Sequence, residues 1–250
     1  DEHVALEKFV DSLKWFESNL NVKKINLNLK TFRNLKFTIF SSLTRLETIS
    51  NNHICCKFCS EDLIGILPRL KTLKIEDDFG AFNGLCNLKK LDLSRNKLKS
   101  IDAFCFENLS NLTELKLKIN EICRLDDGAF SKLHNLKILH LNRLEVESIN
   151  EFVFQNLTRL ETLRILLKII RSIHPKAFIT LINLKNFKFY DRTERRRIEE
   201  KLCFRIEYIQ NSQYLEELEL TNILLKWSTK SDFCEFFHLK KLKLIGNHFE

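Results

Sequence analysis

Leucines and other apolar residues recur along most of this chain at a spacing that is neither helical nor strand-like. From Leu88 they fall at Leu88, Leu91, Leu93, Leu98, Ile101, Phe106 and Leu109, and the same spacing begins again at Leu112. These are the first, fourth, sixth, eleventh, fourteenth, nineteenth and twenty-second places of a 24-residue unit. No 3.6-residue or 2-residue period is sustained, so the regularity belongs to the unit. The segment L-x-x-L-x-L predicts a short strand with its leucines inward, and the remainder predicts a return arc. One such unit cannot bury its apolar face alone. Neighbouring units must stack, with parallel strands satisfying the backbone.

The unit can be followed through most of the sequence. Repeats start at Val22, Leu46 and Leu70, and the Leu70 unit is shortened to 18 residues. Regular units follow from Leu88, Leu112, Leu136 and Leu160; the unit 184–214 has 31 residues, and units from Leu215 and Leu239 close the series. That predicts about ten strands over residues 22–250, with the last unit truncated, as expected for a segment of a longer protein. Residues 1–21 differ: Leu6, Phe9, Val10, Leu13, Phe16 and Leu20 have helical spacing. They predict an amphipathic helix that caps the open end of the core.

This pattern resembles the "typical" class of leucine-rich repeat, from which Toll-like receptor and Slit-like ectodomains are built. The resemblance implies an α/β fold: a curved horseshoe solenoid with a parallel sheet on the concave face and loops or short helices on the convex face. It also implies recognition of a protein or other macromolecular ligand, without catalysis. Phe40, Phe106, Phe130, Phe154, Phe178 and Phe233 share the nineteenth place and are expected to form a core column. The ninth place departs from the family. Its usual Asn, whose amide can satisfy backbone groups at the strand end, is kept at Asn96, Asn120 and Asn247. Leu144, Lys168, Arg192 and Ile223 replace it elsewhere, which places irregular structure near residues 140–195.

Catalytic and metal chemistry find little support. The five glycines make no phosphate-cradling loop, and the seven histidines are scattered with no pair at metal-ligand spacing. An organised acid, base and nucleophile set is absent, so an enzyme is not expected, and neither is a cofactor. Of the eight cysteines, Cys55, Cys56 and Cys59 cluster, with core thiols, a local disulfide and a metal all open to them. Cys105, Cys123, Cys203 and Cys234 lie in separate units and look unpaired. Asn108, Asn111 and Asn156 begin glycosylation sequons on the arc side, although N-L-x is also part of the repeat consensus.

Charge brings in the candidate site. Lys and Arg outnumber Asp and Glu by 41 to 33, a net +8 whose distribution matters more than its size. The fifth place, which projects from the concave face, gives Lys74, Asp92, Lys116, His140, Arg164 and Lys188. At a strand spacing of ~4.8 Å these six form a row about 24 Å long. Lys118 and Arg143 lie at adjacent outward places, and the five outward places over the units from Leu70 to Asp191 sum to a net +6. An acidic protein surface or a polyanion would be steered there. A second candidate contact is the basic knot Arg192, Arg195, Arg196 and Arg197 in the long unit. There Ile198, Leu202, Ile206 and Ile209 predict a longer convex-side helix.

The expected function is therefore a binding module of a cell-surface or secreted recognition protein, of the receptor and signalling type. The alternative is an intracellular adaptor or ligase substrate-recognition scaffold, favoured by the lack of Cys-rich end caps. The strand face is poor in stacking aromatics, Tyr190 being the main one, which disfavours sequence-specific nucleic-acid binding. The longest apolar run, Ile165–Ile170, is interrupted by Lys168 and is too short to span a membrane.

Overall fold

The computed structural model describes residues 8, 11, 12, 15, 24–27, 48–51, 72–74, 87–95, 98–103, 105–107, 109–191, 201–226 and 233–249. In chain order the strands are β1 (Lys24–Leu27), β2 (Thr48–Asn51), β3 (Thr72–Lys74), β4 (Lys90–Asp92), β5 (Ser100–Ile101), β6 (Glu114–Lys116), β7 (Arg124–Leu125) and β8 (Ile138–Leu144). They continue with β9 (Ser148–Ile149), β10 (Thr162–Leu167), β11 (Ser172–Ile173), β12 (Asn186–Asp191), β13 (Cys203–Arg205), β14 (Glu217–Thr221), β15 (Leu224–Lys226), β16 (Lys241–Ile245) and β17 (His248–Phe249). Ten of them form one parallel sheet in the order β1-β2-β3-β4-β6-β8-β10-β12-β14-β16. That is the sequence order with the arc strands skipped, the topology of a solenoid. The arc strands pair among themselves as β5-β7, β9-β11 and β13-β15-β17.

The core follows the repeat places. Leu88, Leu91, Leu93, Leu112, Leu115, Leu117, Leu136, Leu139 and Leu141 are buried, as are their counterparts through Leu220. Phe106, Phe130, Phe154 and Phe178 stack with centroids 6.1, 6.3 and 5.5 Å apart and planes within 20° of parallel. The expected column is therefore present over four units. Phe204 takes up its end at 6.2 Å from Phe178. Phe233 instead packs edge-on to Phe236, and Phe40 lies outside the described residues.

Two expectations need correction. The irregularity expected near residues 140–195 is, among residues 140–191, a register shift at one bulge, and the same stretch carries three of the longest strands, β8, β10 and β12. In most described units the eighth place is left-handed: Arg95, Ile119, Arg143, Asn222 and Gly246 have φ from 57 to 67°. That residue turns the chain so that the ninth place points inward. β10 and β12 have no such turn and continue as strand, so Leu167 and Asp191 at the eighth place are inward and buried. Leu167 pairs with Leu144, and Arg143 is left as a one-residue bulge. Lys168 therefore never enters the slot; it is exposed, and its Nζ meets Glu145 at 2.6 Å.

The second correction concerns the long unit. No long helix runs through Leu202 and Ile206: Leu202 precedes a strand, and Ile206 opens only a short 3-10 turn. They alternate with Cys203 and Arg205 through β13, with Leu202, Phe204 and Ile206 buried. A single 3-10 turn, Ile206–Ile209, follows. Ile198 and the four arginines Arg192, Arg195, Arg196 and Arg197 lie outside the described residues. At the N-terminus, Lys8, Asp11, Ser12 and Trp15 are helical and exposed, one stripe of a helix, whereas the apolar set of 1–21 lies outside the described residues.

The asparagine slot shows why the corner needs a polar residue. Asn120 is buried and donates its amide to the Leu93 and Leu117 carbonyls at 2.9 and 3.0 Å, while its oxygen accepts from the Leu98 N–H. Asn247 does the same for the Leu220 carbonyl and the Ile223 N–H. Phe154→Ala should lower unfolding free energy by about 3–5 kcal/mol, because it empties the middle of the ring column. Asn120→Ala should cost about 1–3 kcal/mol, because it leaves buried backbone groups unpaired. Urea melts of the two variants check the order.

Candidate functional site

The outward side chains of the ten-stranded sheet form the candidate site, and strand register sets their arrangement. Lys74 is the partner of Asp92, Asp92 of Lys116, Lys116 of His140, His140 of Arg164 and Arg164 of Lys188. The six residues expected in one row therefore stand in one row. The side chain of Lys74 lies outside the described residues. Of the sequon asparagines, Asn111 and Asn156 are exposed and Asn108 lies outside the described residues. Asn156 has a left-handed backbone, which asparagine tolerates. Asn111 shares its place with Asn135 and Asn183, which donate to the Ser110 and Thr158 carbonyls of the preceding arc.

The row is not a uniform cationic stripe. Glu114 holds Lys116 at 2.5 Å and Lys90 at 3.3 Å. Burial alone would raise the Glu114 carboxyl, but the bonds from these two lysines bring it below the usual range. Along the second place Lys137, Glu161 and Lys185 alternate with contacts of 3.0 Å on each side, and Lys240 meets Glu216 at 2.9 Å. Lys188 lies between Glu217 and Glu219 at 3.0 and 3.4 Å, and Lys241 and Lys243 close on the same two carboxylates. Bonds from Lys241 and Lys188 pull Glu217 down to about 2. The Glu216, Glu217 and Glu219 set was missed because the charge count stopped at Asp191. Extending it one unit would have revealed them.

Between these ladders the middle of the sheet is different. His140 is only 7% exposed, and burial, then the charges of Lys118, Arg164 and Lys116, push it down to about 4. It is neutral at physiological pH. Tyr190, nearby at the seventh place, is pushed up to about 12 by burial and then by Glu219, to which it is hydrogen-bonded. Among the described residues there is no cluster of three or more His, Cys, Asp or Glu able to hold a metal ion.

The comparisons fit this geometry. The family model for the BspA type leucine rich repeat region matches residues 75–201 in six copies, about half of the chain. The chain is a leucine-rich repeat protein. Among solved structures, this leucine-rich repeat chain is similar to Drosophila Toll in its complex with Spätzle, at 23% identity and a TM-score of 0.72, over 95% of this chain and 33% of Toll. Internalin C2 of Listeria monocytogenes is similar at 15% identity and a TM-score of 0.57, over 94% of this chain and 91% of the internalin. At these identities the likeness concerns the fold alone, and the chain spans about a third of the length of Toll. No curated protein matches the sequence. No described helix of this leucine-rich repeat is long and apolar enough to cross a membrane.

Acid titration should expose two separate windows. The unfolded chain binds a proton on His140 near pH 6.5 while the folded one waits until about 4, so stability falls as pH drops through that range. Glu217 acts lower: its ion pairs are fully present above 4.5 and are lost as pH falls toward 2. Urea midpoints from pH 7 to 2 should show both slopes. His140→Gln should flatten the upper slope alone, and Glu217→Gln the lower.

Proposed function

We propose that this chain is a non-enzymatic binding module of a cell-surface or secreted recognition protein, taking a protein ligand on its concave sheet. The observation that carries this reading is the register itself. Five fifth-place side chains, from Asp92 to Lys188, stand in line on a sheet whose opposite face is filled by leucines. Among the described residues no helix packs over that line. Ile138, Leu166 and Tyr190 lie half-buried beside it and add apolar contact area to the charges. The likeness to Toll, whose structure was solved with Spätzle bound, supports a proteinaceous ligand. The exposed sequon at Asn156 supports a secretory route.

The intracellular adaptor keeps one observation in its favour. Cys105, Cys123, Cys203 and Cys234 are free, as thiols in a reducing compartment are. A thiol count on native protein decides between the compartments: eight free thiols point to the cytosol, whereas any disulfide among the cysteines points outward.

A photo-crosslinking amino acid placed at Tyr190 on the sheet, and separately at Gln155 on the arc, tests the face. Cross-linking of one protein from Tyr190 and not from Gln155, lost on Arg164→Glu, is the expected result. Equal cross-linking from both positions, or from Gln155 alone, removes the concave sheet as the contact surface.

A further inference from the structure

The centre of the concave sheet holds three cations with no carboxylate of their own. Lys118 follows β6, Arg143 is the bulge residue of β8, and Arg164 is on β10. None of them forms an ion pair with a described residue, although Lys90, Lys116, Lys137, Lys185 and Lys188 around them all do. Buried hydrogen-bonding atoms in the same area also lack partners: His140 Nδ1, Asn142 Oδ1 and Arg164 Nε. His140 and Arg164 are cross-strand partners, and so are Asn142 and Leu166. The backbone brings Lys118 to the same spot, since the adjacent Leu117 and Ile119 donate to the His140 and Asn142 carbonyls at 2.9 and 3.1 Å.

We infer that Lys118, His140, Arg143 and Arg164 form a site for a single carboxylate side chain of a protein ligand. The inference deepens the concave-face reading above and rests on it. Arg164 offers a guanidinium fork that can hold a carboxylate through two parallel N–H donors, and Lys118 adds a point charge from two strands away, across β8. His140, kept neutral, can donate one ring N–H without adding a fourth repelling charge. Unpaired buried polar atoms cost free energy in the empty site; Arg164 Nε–H, and His140 Nδ1 in the tautomer that carries its proton there, can donate to an anion and recover that cost, whereas the Asn142 oxygen is an acceptor and takes no part.

The flanks decide between one carboxylate and a long polyanion. Lys90 and Lys116 share the carboxylate of Glu114 on β6 itself, and Lys188 is held by Glu217 and Glu219 on β14. The three cations Lys118, Arg143 and Arg164 span β6 to β10, two strand spacings or about 10 Å, and Lys89 and Arg95, exposed cations of the β4 unit, lie outside that span. The span is close to the screening length of roughly 8 Å in physiological salt, so the three act as one charge site. A polyanion laid across the sheet would meet Glu217 and Glu219 two strands further on. Half-buried Ile138 and Leu166 border the cations, which suits an acidic residue with apolar neighbours in a polypeptide.

Panning a phage-displayed library of random peptides against the full chain tests the inference. Wild-type binders should share an Asp or Glu at one fixed position beside an apolar residue. They should lose roughly tenfold or more in affinity for the Lys118→Gln, Arg164→Gln double variant, and part of that should return with Arg164→Lys alone. Equal thermal melting of the variants excludes a folding defect, and Lys118→Gln, at a half-buried position outside the core, gives a second readout. Binders without a fixed acid that ignore the double variant, yet fail on Leu166→Arg, overturn the carboxylate site and leave the concave reading standing. Binders that ignore all of these substitutions, or no binders at all, overturn both. Retention on heparin that is abolished by the double variant, with no acid selected, assigns the site to a polyanion and also overturns the inference.

Discussion

Every turn of this solenoid has to leave the sheet, and the peptide groups at that corner need partners once they are buried. The chain meets this need in two ways. Where the eighth residue is left-handed, the ninth points inward, and at Asn120 and Asn247 its amide bridges one corner to the next. Where no left-handed residue occurs, the strand runs on, and ladder hydrogen bonds do the same work for Leu167 and Asp191. Arg143 sits at the junction between the two solutions, as the bulge that reconciles their registers. The choice at each corner fixes strand length, and strand length fixes how wide the concave face is at that level. The longest strands lie at the centre, and the cations without partners lie there too.

How much of this was legible in the sequence follows from what each pattern encodes. The 24-residue period records inward places directly, because an apolar residue must occupy each of them, and each of the ten unit starts lies two residues before its strand. The corner was misjudged because counting assigns the slot to a fixed ninth place. A strand without its left-handed residue moves the slot to the eighth, so Lys168 and Arg192 looked like substitutions when Leu167 and Asp191 held the position. The helix expected through Leu202 and Ile206 failed for a related reason. A spacing of four fits both a helix and a strand, and Phe204, buried midway, is the residue that separates them.

The candidate site was legible in position and not in charge. Alternation along a strand places the fifth-place side chains outward whatever they are, so the row from Asp92 to Lys188 could be drawn from sequence. Whether a lysine is available to a ligand depends on side-chain geometry, with a partner two residues along the same strand, as Glu114 is for Lys116, or 24 residues or more away on a neighbouring one, as Glu217 is for Lys188. Lys116 and Lys188 are as cationic as Arg164 in the sequence, yet each closes on a glutamate within 3.4 Å. An ion pair at the surface adds little to stability. Its larger consequence here is to remove charge from the field that an approaching partner meets.

That subtraction explains how a face with many charges can still be selective. Glu114, Glu161, Glu217 and Glu219 each engage two of the lysines beside them, and the cations of the central strands that engage no carboxylate stand together on one short stretch. A uniformly basic stripe would attract any polyanion with little regard for geometry. A narrow window bounded by carboxylates repels an extended anion at its edges and accepts a compact one at its centre. The buried, neutral His140 contributes by what it does not carry: a fourth charge there would strengthen attraction at long range and weaken the distinction at contact. The pairing pattern, more than the net +8, is therefore what sets the chemistry of this surface.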